Sequence, residues 1–216
     1  MVTISFIHFP ENKWWAFKQM QLLPPQLAQV EGFNFHKFLG TGSGFGFSLK
    51  PDFSTYALLI DWKDPDSRNA FFADNELFHS LKTKSKSIDT HLIEPISVHG
   101  SWYGEVPFEK RADYNGGKMG IITRARINWS KLPVFWKNVP KASKAIQEAK
   151  GLDFTKGVGE WPLIEQATFS IWESQEAMMQ YAYNDTHKEI IKKVKKQNWY
   201  KEELFARFNI IDQFTH

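Results

Sequence analysis

The chain of 216 residues contains no cysteine. That one absence excludes disulfides, cysteine-ligated iron–sulfur clusters, thiolate-ligated haem and cysteine nucleophiles. Any metal or haem must then be held by histidine, carboxylate or tyrosine. No run approaches the roughly 18 consecutive apolar residues of a membrane span, and the N-terminus lacks the basic-then-apolar order of a signal peptide. A cytoplasmic location is the expectation. Charge of one sign is also scarce: the net charge is +3. The densest basic run, Lys192, Lys193, Lys195 and Lys196, sits beside apolar residues at helical spacing and reads as a solvated helix face. Nucleic acid is therefore not an expected partner.

Signature motifs are missing as well. The run GTGSGFGF, Gly40 to Phe47, is not a dinucleotide fingerprint, because Phe45 takes the place of its last glycine, and it lacks the GK[ST] ending of a phosphate loop. It reads as a flexible or bulged strand connection. No HExxH or GxSxG occurs. His91 and His99 read as sharing one strand face, but eight residues on an extended strand span roughly 26 Å, too far to ligate one ion.

Aromatic rings, by contrast, are plentiful: 19 Phe, nine Trp and six Tyr. They suit a large core or a pocket for a flat, apolar ligand. Along the chain, a strand at Val2 to Phe9 leads to a helix running from about Asn12 towards Glu31, with Pro24 and Pro25 marking a kink or break. A glycine-rich strand connection, a strand at Tyr56 to Trp62, helical patches over Pro65 to Lys84 and a strand at Thr90 to His99 follow. The order is βαββαβ, the split pattern of a ferredoxin-like unit.

The same order recurs from Gly117, with a strand at Met119 to Ile127, a helix from about Trp129 to Lys150 and a last strand at Glu203 to Ile211. Gly32, Phe35, Lys37 and Gly40 match Gly151, Phe154, Lys156 and Gly159 in a shared GxxFxKxxG pattern. In the same register Phe17 falls on Trp136, both read as buried, and Trp62 falls on Trp172. The fold class is thus α+β: two tandem ferredoxin-like units, 1–99 and 118–216, joined by a linker over 100–117. Each unit leaves one sheet face bare, so the two sheets should bury those faces together as a dimeric-α/β-barrel-like fold within one chain. Leftover sheet edges leave symmetric self-association into a homodimer open.

The stretch from Trp172 to Trp199 holds His187 in a capped, charged helix start beside the apolar stripe Ile190, Ile191 and Val194. In the repeat register His187 falls opposite Phe78. One half would keep a ligand where the other has an apolar filler, although a helix-surface histidine explains the spacing equally well. In ITRARI, Arg124 and Arg126 alternate onto one face, which is either the space between the sheets, where each needs an anion, or solvent. Arg207 in FARF poses the same choice.

The segments WWAFKQM, HKFLGTGSGFGF, YALLIDW, GSWYGEVPF, ITRARI, FWKNVPKAS, GLDFTKGVGEWPL, QATFSIW and WYKEELFARF resemble those of spheroidene monooxygenase-type carotenoid ketolases, in order and over nearly the whole chain. The resemblance implies a haem-dependent, O2-using oxidation of an elongated apolar substrate such as a linear carotenoid. It implies haem b with His187 as the iron ligand, and it matches Arg124 to the family's TRA motif and Trp199, Glu203 and Arg207 to its WYxEELFAR signature. Together with the reading of the residues, this makes Arg124 and then Arg126 the expected distal hydrogen-bond donors and sets Phe169, Trp172, Tyr183 and Arg207 around the cofactor, with Tyr181 and Phe205 as further lining. Electrons would come from an external donor, or the oxidant would be peroxide, because no flavin or nicotinamide fingerprint is present. A substrate held in lipid would require peripheral membrane contact. His36 and Arg126 depart from the residues expected in carotenoid-oxidising members. The competing expectations are a histidine-ligated haem protein with peroxidase-like or dehydratase activity on a small substrate, a non-catalytic haem-binding module, and cofactor-independent oxygenation.

Overall fold

A computed structural model of the chain describes residues 1–44, 50–161, 164–183, 192–194 and 196–216. The first half runs β1 Val2–His8, α1 Lys13–Leu27, β2 Phe33–Gly42, β3 Pro51–Trp62, α2 Pro65–Asp74, α3 Glu76–Lys84 and β4 Ser87–Gly100. The second runs β5 Met119–Ile127, α4 Leu132–Gln147, β6 Leu152–Gly159, β7 Glu165–Trp172, α5 Gln175–Ala182 and β8 Tyr200–Thr215. Asn75 ends α2 and caps α3, its side chain accepting from Leu77 N–H and Phe78 N–H. A 3-10 turn, Trp129–Lys131, leads into α4. Pro24 and Pro25 do not break α1; they sit in its last turn, and the helix stops at Leu27, short of Glu31. Their missing N–H groups and rings end the helix within a turn.

Within each half the strand order is the ferredoxin-like one, β4-β1-β3-β2 and β8-β5-β7-β6, and the eight strands close into one antiparallel barrel. Closure uses equivalent strands. β4 runs along β8 from Asp89 opposite Thr215 to Gly100 opposite Leu204. β2 meets β6 through Gly40 opposite Gly159 and Thr41 opposite Val158. The outer strands of the two units are therefore paired with each other within the chain. Pairing along the full length of β4 is also why β8 extends well beyond the strand read from sequence.

The GxxFxKxxG repeat builds the β2–β6 junction. Gly32 and Gly151 adopt φ of +93° and +73°, and a Cβ there would lie 2.5 Å from Ser67 Cβ and 2.7 Å from Ala177 Cβ. Each glycine thus permits a left-handed turn and a close approach to the following helix. Phe35 and Phe154 enter the barrel core. Lys37 reaches Glu160 in the second half at 3.1 Å, and Lys156 reaches Asp52 in the first at 3.1 Å.

Alternation along the strands separates two layers. Val2, Ile4, Phe6, Ile122, Phe169, Leu204, Ala206 and Phe208 fill the barrel interior. The outer face of the first half packs Phe38, Tyr56, Trp62, Phe71 and Phe78 beneath α1 to α3. Phe17 does not join that core. It is 47% exposed and meets Trp14 and Phe53 edge-on at the surface, which corrects its reading as buried. Among the described residues no helix is long and apolar enough to cross a membrane.

Candidate functional site

Where the first half is packed with rings, the second half is hollow. Between its sheet and helices α4 and α5 lies a cavity of about 350 Å³. The floor is the outward face of three strands: Ile121, Thr123 and Ala125 of β5, Thr168, Ser170 and Trp172 of β7, and Phe205 of β8. Phe135, Val139 and Ile146 of α4 and Met178, Tyr181 and Ala182 of α5 form the roof. Trp199 and Tyr200 close one end, and His99 and Glu203 stand at the rim. The volume and the mostly apolar lining with few polar groups are those of a small-molecule site.

The floor follows from strand chemistry. Thr168 and Ser170 of β7 leave room where β3 of the first half carries Leu58 and Ile60, while Trp172 is anchored by its indole N–H to Ser170 Oγ at 3.0 Å and stacks on Tyr181. Burial pushes the Tyr181 hydroxyl up to about 12. Tyr200 is raised further, by burial first and then by the nearby Glu203 carboxylate. Both phenols are neutral at ordinary pH and can only hydrogen-bond.

The residues expected from sequence divide between this cavity and its surroundings. Trp172, Tyr181 and Phe205 line it. Phe169 does not: it points into the barrel interior, because it lies an odd number of residues from Trp172 and so on the opposite face. Tyr183 is 61% exposed and outside the lining. His187 lies outside the described residues, but Ala182 before that segment and Trp199 after it both border the cavity. Arg207 lies on the cavity face of β8 two residues beyond Phe205, its guanidinium 5.3 Å from that ring.

Arg124 and Arg126 take the face between the sheets. Their side chains stand on the barrel side of β5, alternating with the cavity floor, and Arg124 also borders the cavity. Arg124, 1% exposed, pairs with Glu202 at 2.6 Å, approaches Glu165 at 3.9 Å and Glu160 at 4.0 Å, and lies over the rings of Trp102 and Tyr103. Arg126 pairs with Glu165 at 3.2 Å. The Trp102 indole donates to Glu160 and the Tyr103 hydroxyl to Glu165. Burial pushes the Glu202 carboxyl up, but hydrogen bonds from Gly104 N–H, Arg124 and Ser101 outweigh it and hold the group at about 2. The cluster is an ion-paired plug in which the arginines already have their anions.

His99 was not read as a site residue. A one-residue bulge is responsible: Pro95 faces Phe208 and Ser97 faces Arg207, leaving Ile96 unpaired. The extra residue inverts the alternation of β4. His91 therefore points into the barrel, ringed by Phe6, Phe154 and Phe169, while His99 reaches the cavity rim. The two histidines read as sharing a face lie on opposite ones. Among the described residues no group of side chains is arranged to hold a metal ion.

A barrel of two fused ferredoxin-like units with a ligand cavity under the helices of one half defines a class of fold. The chain is similar in structure to an aldoxime dehydratase, with a TM-score of 0.59 at 12% identity over 99% of this chain and 83% of that one. Two curated proteins resemble it in sequence. The spheroidene monooxygenase of Rhodobacter capsulatus is 31% identical over 91% of this chain and 83% of the relative. That of Cereibacter sphaeroides is 33% identical over 97% of this chain, and the chain spans 66% of that relative's length. A family described as a domain of unknown function, DUF3291, matches residues 136–208, which include most of the cavity roof. The chain belongs to the spheroidene monooxygenase family.

Proposed function

We propose that the chain is a haem-dependent monooxygenase that oxidises an elongated apolar substrate such as a linear carotenoid; its spheroidene monooxygenase relatives support the carotenoid oxidation. The observation that carries this reading is the asymmetry of the two halves: one helix–sheet layer is packed with rings and the other encloses a cavity. Phe78, the repeat partner of His187, is fully buried in the packed layer. In sequence register His187 belongs to the half that holds the cavity.

The residues present fit a haem. The cavity walls are mostly apolar, Ala182 and Trp199 on either side of the His187 segment border the cavity, and the Arg207 Nε–H beside the lining is buried without a partner among the described residues. His187 would hold the iron through one neutral imidazole nitrogen, since no thiolate is available. When bound, the group supplies the O2 or peroxide chemistry that no side chain can perform. The chain's own residues do the rest. Trp172, Phe135 and Phe205 orient a flat or elongated apolar body, and the α4–α5 roof excludes water. Tyr181 and Tyr200 offer hydroxyl donors that stay protonated, and His99 at the rim can hold or pass a proton. Electrons come from an external donor, or peroxide replaces them.

The test is the ultraviolet–visible spectrum of protein expressed with ample haem, in ferric, ferrous and carbon monoxide states, for wild type and His187→Ala. A Soret band lost or shifted in the variant supports the assignment, and turnover of linear carotenoids by the wild type completes it. A colourless wild type that still oxidises substrate refutes the haem reading. The cavity volume lies at the low end for ligand sites, which favours one second reading: a histidine-ligated haem protein with peroxidase-like or dehydratase activity on a small substrate, or a haem-binding module without turnover. Conversion of small aldoximes or peroxidase substrates, with carotenoids untouched, would select the first of these.

A further inference from the structure

At the edge of the cavity two buried polar atoms have no hydrogen-bond partner among the described residues. Ser97 and Arg207 are register partners across β4 and β8, and so are their neighbours His99 and Phe205. Phe205 and His99 line the cavity, and the Arg207 guanidinium lies 5.3 Å from the Phe205 ring on the same face. Arg207 Nε and Ser97 Oγ are both buried and lack a hydrogen-bond partner. None of the ion pairs among the described residues uses Arg207. Arg124 and Arg126, by contrast, both have carboxylates.

Two residues further along β8, Asn209 fastens the linker over this face. Its side-chain oxygen accepts from Asn115 N–H, and its amide donates to the Asp113 carbonyl. Ala112 and Tyr114 of the same linker pack onto the cluster that includes Phe205. The orphaned donors thus sit in a corner between the cavity wall and the linker strap. Arg207 is half-buried with its Nε–H shielded from solvent; a buried donor left unmade is costly, and the planar fork of a guanidinium matches the two oxygens of a carboxylate. A serine hydroxyl on the adjacent strand supplies a further donor.

We propose that Ser97 and Arg207 form a receiving corner for a carboxylate carried by the apolar ligand of the cavity, with His99 at its outer side. The corner rests on the cavity being a ligand site. Whether the carboxylate is a haem propionate or belongs to the substrate depends on the haem reading.

The experiment titrates the full chain with haemin, haemin dimethyl ester, palmitate and methyl palmitate. Soret absorbance follows the first two and intrinsic tryptophan fluorescence the others. Wild type, Arg207→Met and Ser97→Ala are compared, with circular dichroism confirming that each is folded. The expected result is that wild type prefers one free acid over its ester on the order of ten- to a hundredfold, the loss typical of an unmade charge-assisted hydrogen bond. Arg207→Met abolishes that preference without weakening the ester, and Ser97→Ala reduces it. Preference confined to haemin assigns the corner to a propionate, and preference confined to palmitate assigns it to the substrate. If haem does not bind but palmitate is discriminated, the haem reading fails and the corner stands. If haem binds and neither acid is preferred over its ester, the corner fails and the haem reading stands. Failure to bind any of the four probes overturns the corner as well.

Discussion

Replacing Arg124 with methionine separates a structural role from a catalytic one. The guanidinium is 1% exposed and faces three carboxylates whose side chains are 5% to 17% exposed. Removing one partner of such a buried network typically costs about 3–5 kcal/mol, because the other charges stay behind. Here each carboxylate keeps some support. Glu165 retains Arg126 and Tyr103, Glu160 retains Lys37 and Trp102, and Glu202 retains Ser101 and Gly104 N–H. The loss should therefore fall near the lower end, about 3 kcal/mol, with methionine preserving most of the stem packing. For a chain of this size that lowers the melting temperature by roughly 6–12 °C.

Urea unfolding of Arg124→Met, Glu202→Gln and the double variant at pH 7 reads it directly. The double variant should be more stable than the sum of the single losses predicts, by about 1 kcal/mol or more, because the two groups serve each other. The Glu202 carboxyl, ordinarily near 4.5, is held at about 2 in the folded chain. The unfolded chain therefore binds the extra proton between these values, and the stability contributed by the group, complete above about 4.5, is lost as pH falls towards 2. Glu202→Gln should flatten that acid limb. If Arg124→Met unfolds at the wild-type midpoint yet loses turnover, the guanidinium serves the reaction and the plug account is wrong.

Three further outcomes are expected. His91 is 4% exposed with an unpartnered Nδ1, and burial lowers its pKa below 6.5; the unfolded chain thus binds more protons just below pH 6.5, so His91→Phe should stabilise most at pH 5–6 in denaturant titrations, and an unchanged pH profile would contradict this. Gly32→Ala and Gly151→Ala, each strained by positive φ and a blocked Cβ, should each cost more than about 1 kcal/mol in thermal unfolding, and neutrality of either would refute the turn assignment. Ala125→Trp, on the cavity floor, should abolish ligand uptake measured by Soret or fluorescence titration while circular dichroism stays unchanged; undiminished uptake would place the ligand elsewhere.

The fold was legible because duplication writes it twice. Gly32, Phe35, Lys37 and Gly40 restate themselves as Gly151, Phe154, Lys156 and Gly159, and Gly32 and Gly151 prove to be turns with no room for a side chain. Part of the site was legible too, since Trp172, Tyr181 and Phe205 line the cavity. Phe169 was misplaced although the information was present: three residues from Trp172 on one strand is the opposite face. His99 was hidden for a different reason, because the bulge at Ile96 inverts the alternation and nothing local announces it. The anions of Arg124 come from positions 160, 165 and 202, brought together by the β8–β5–β7–β6 pairing of the second half. Such long-range charge pairing leaves no periodicity to read.

The joining of β2 to β6 and of β4 to β8 pairs each strand with its own counterpart, the arrangement of a two-fold axis running through both seams. Two identical chains associated in this way would be bound by that axis to possess either a pair of hollows or none. Covalent fusion lifts the obligation. One half can devote its aromatic rings to rigidity while the other stays open, so the stoichiometry expected is one ligand per barrel, with binding free of cooperativity between halves.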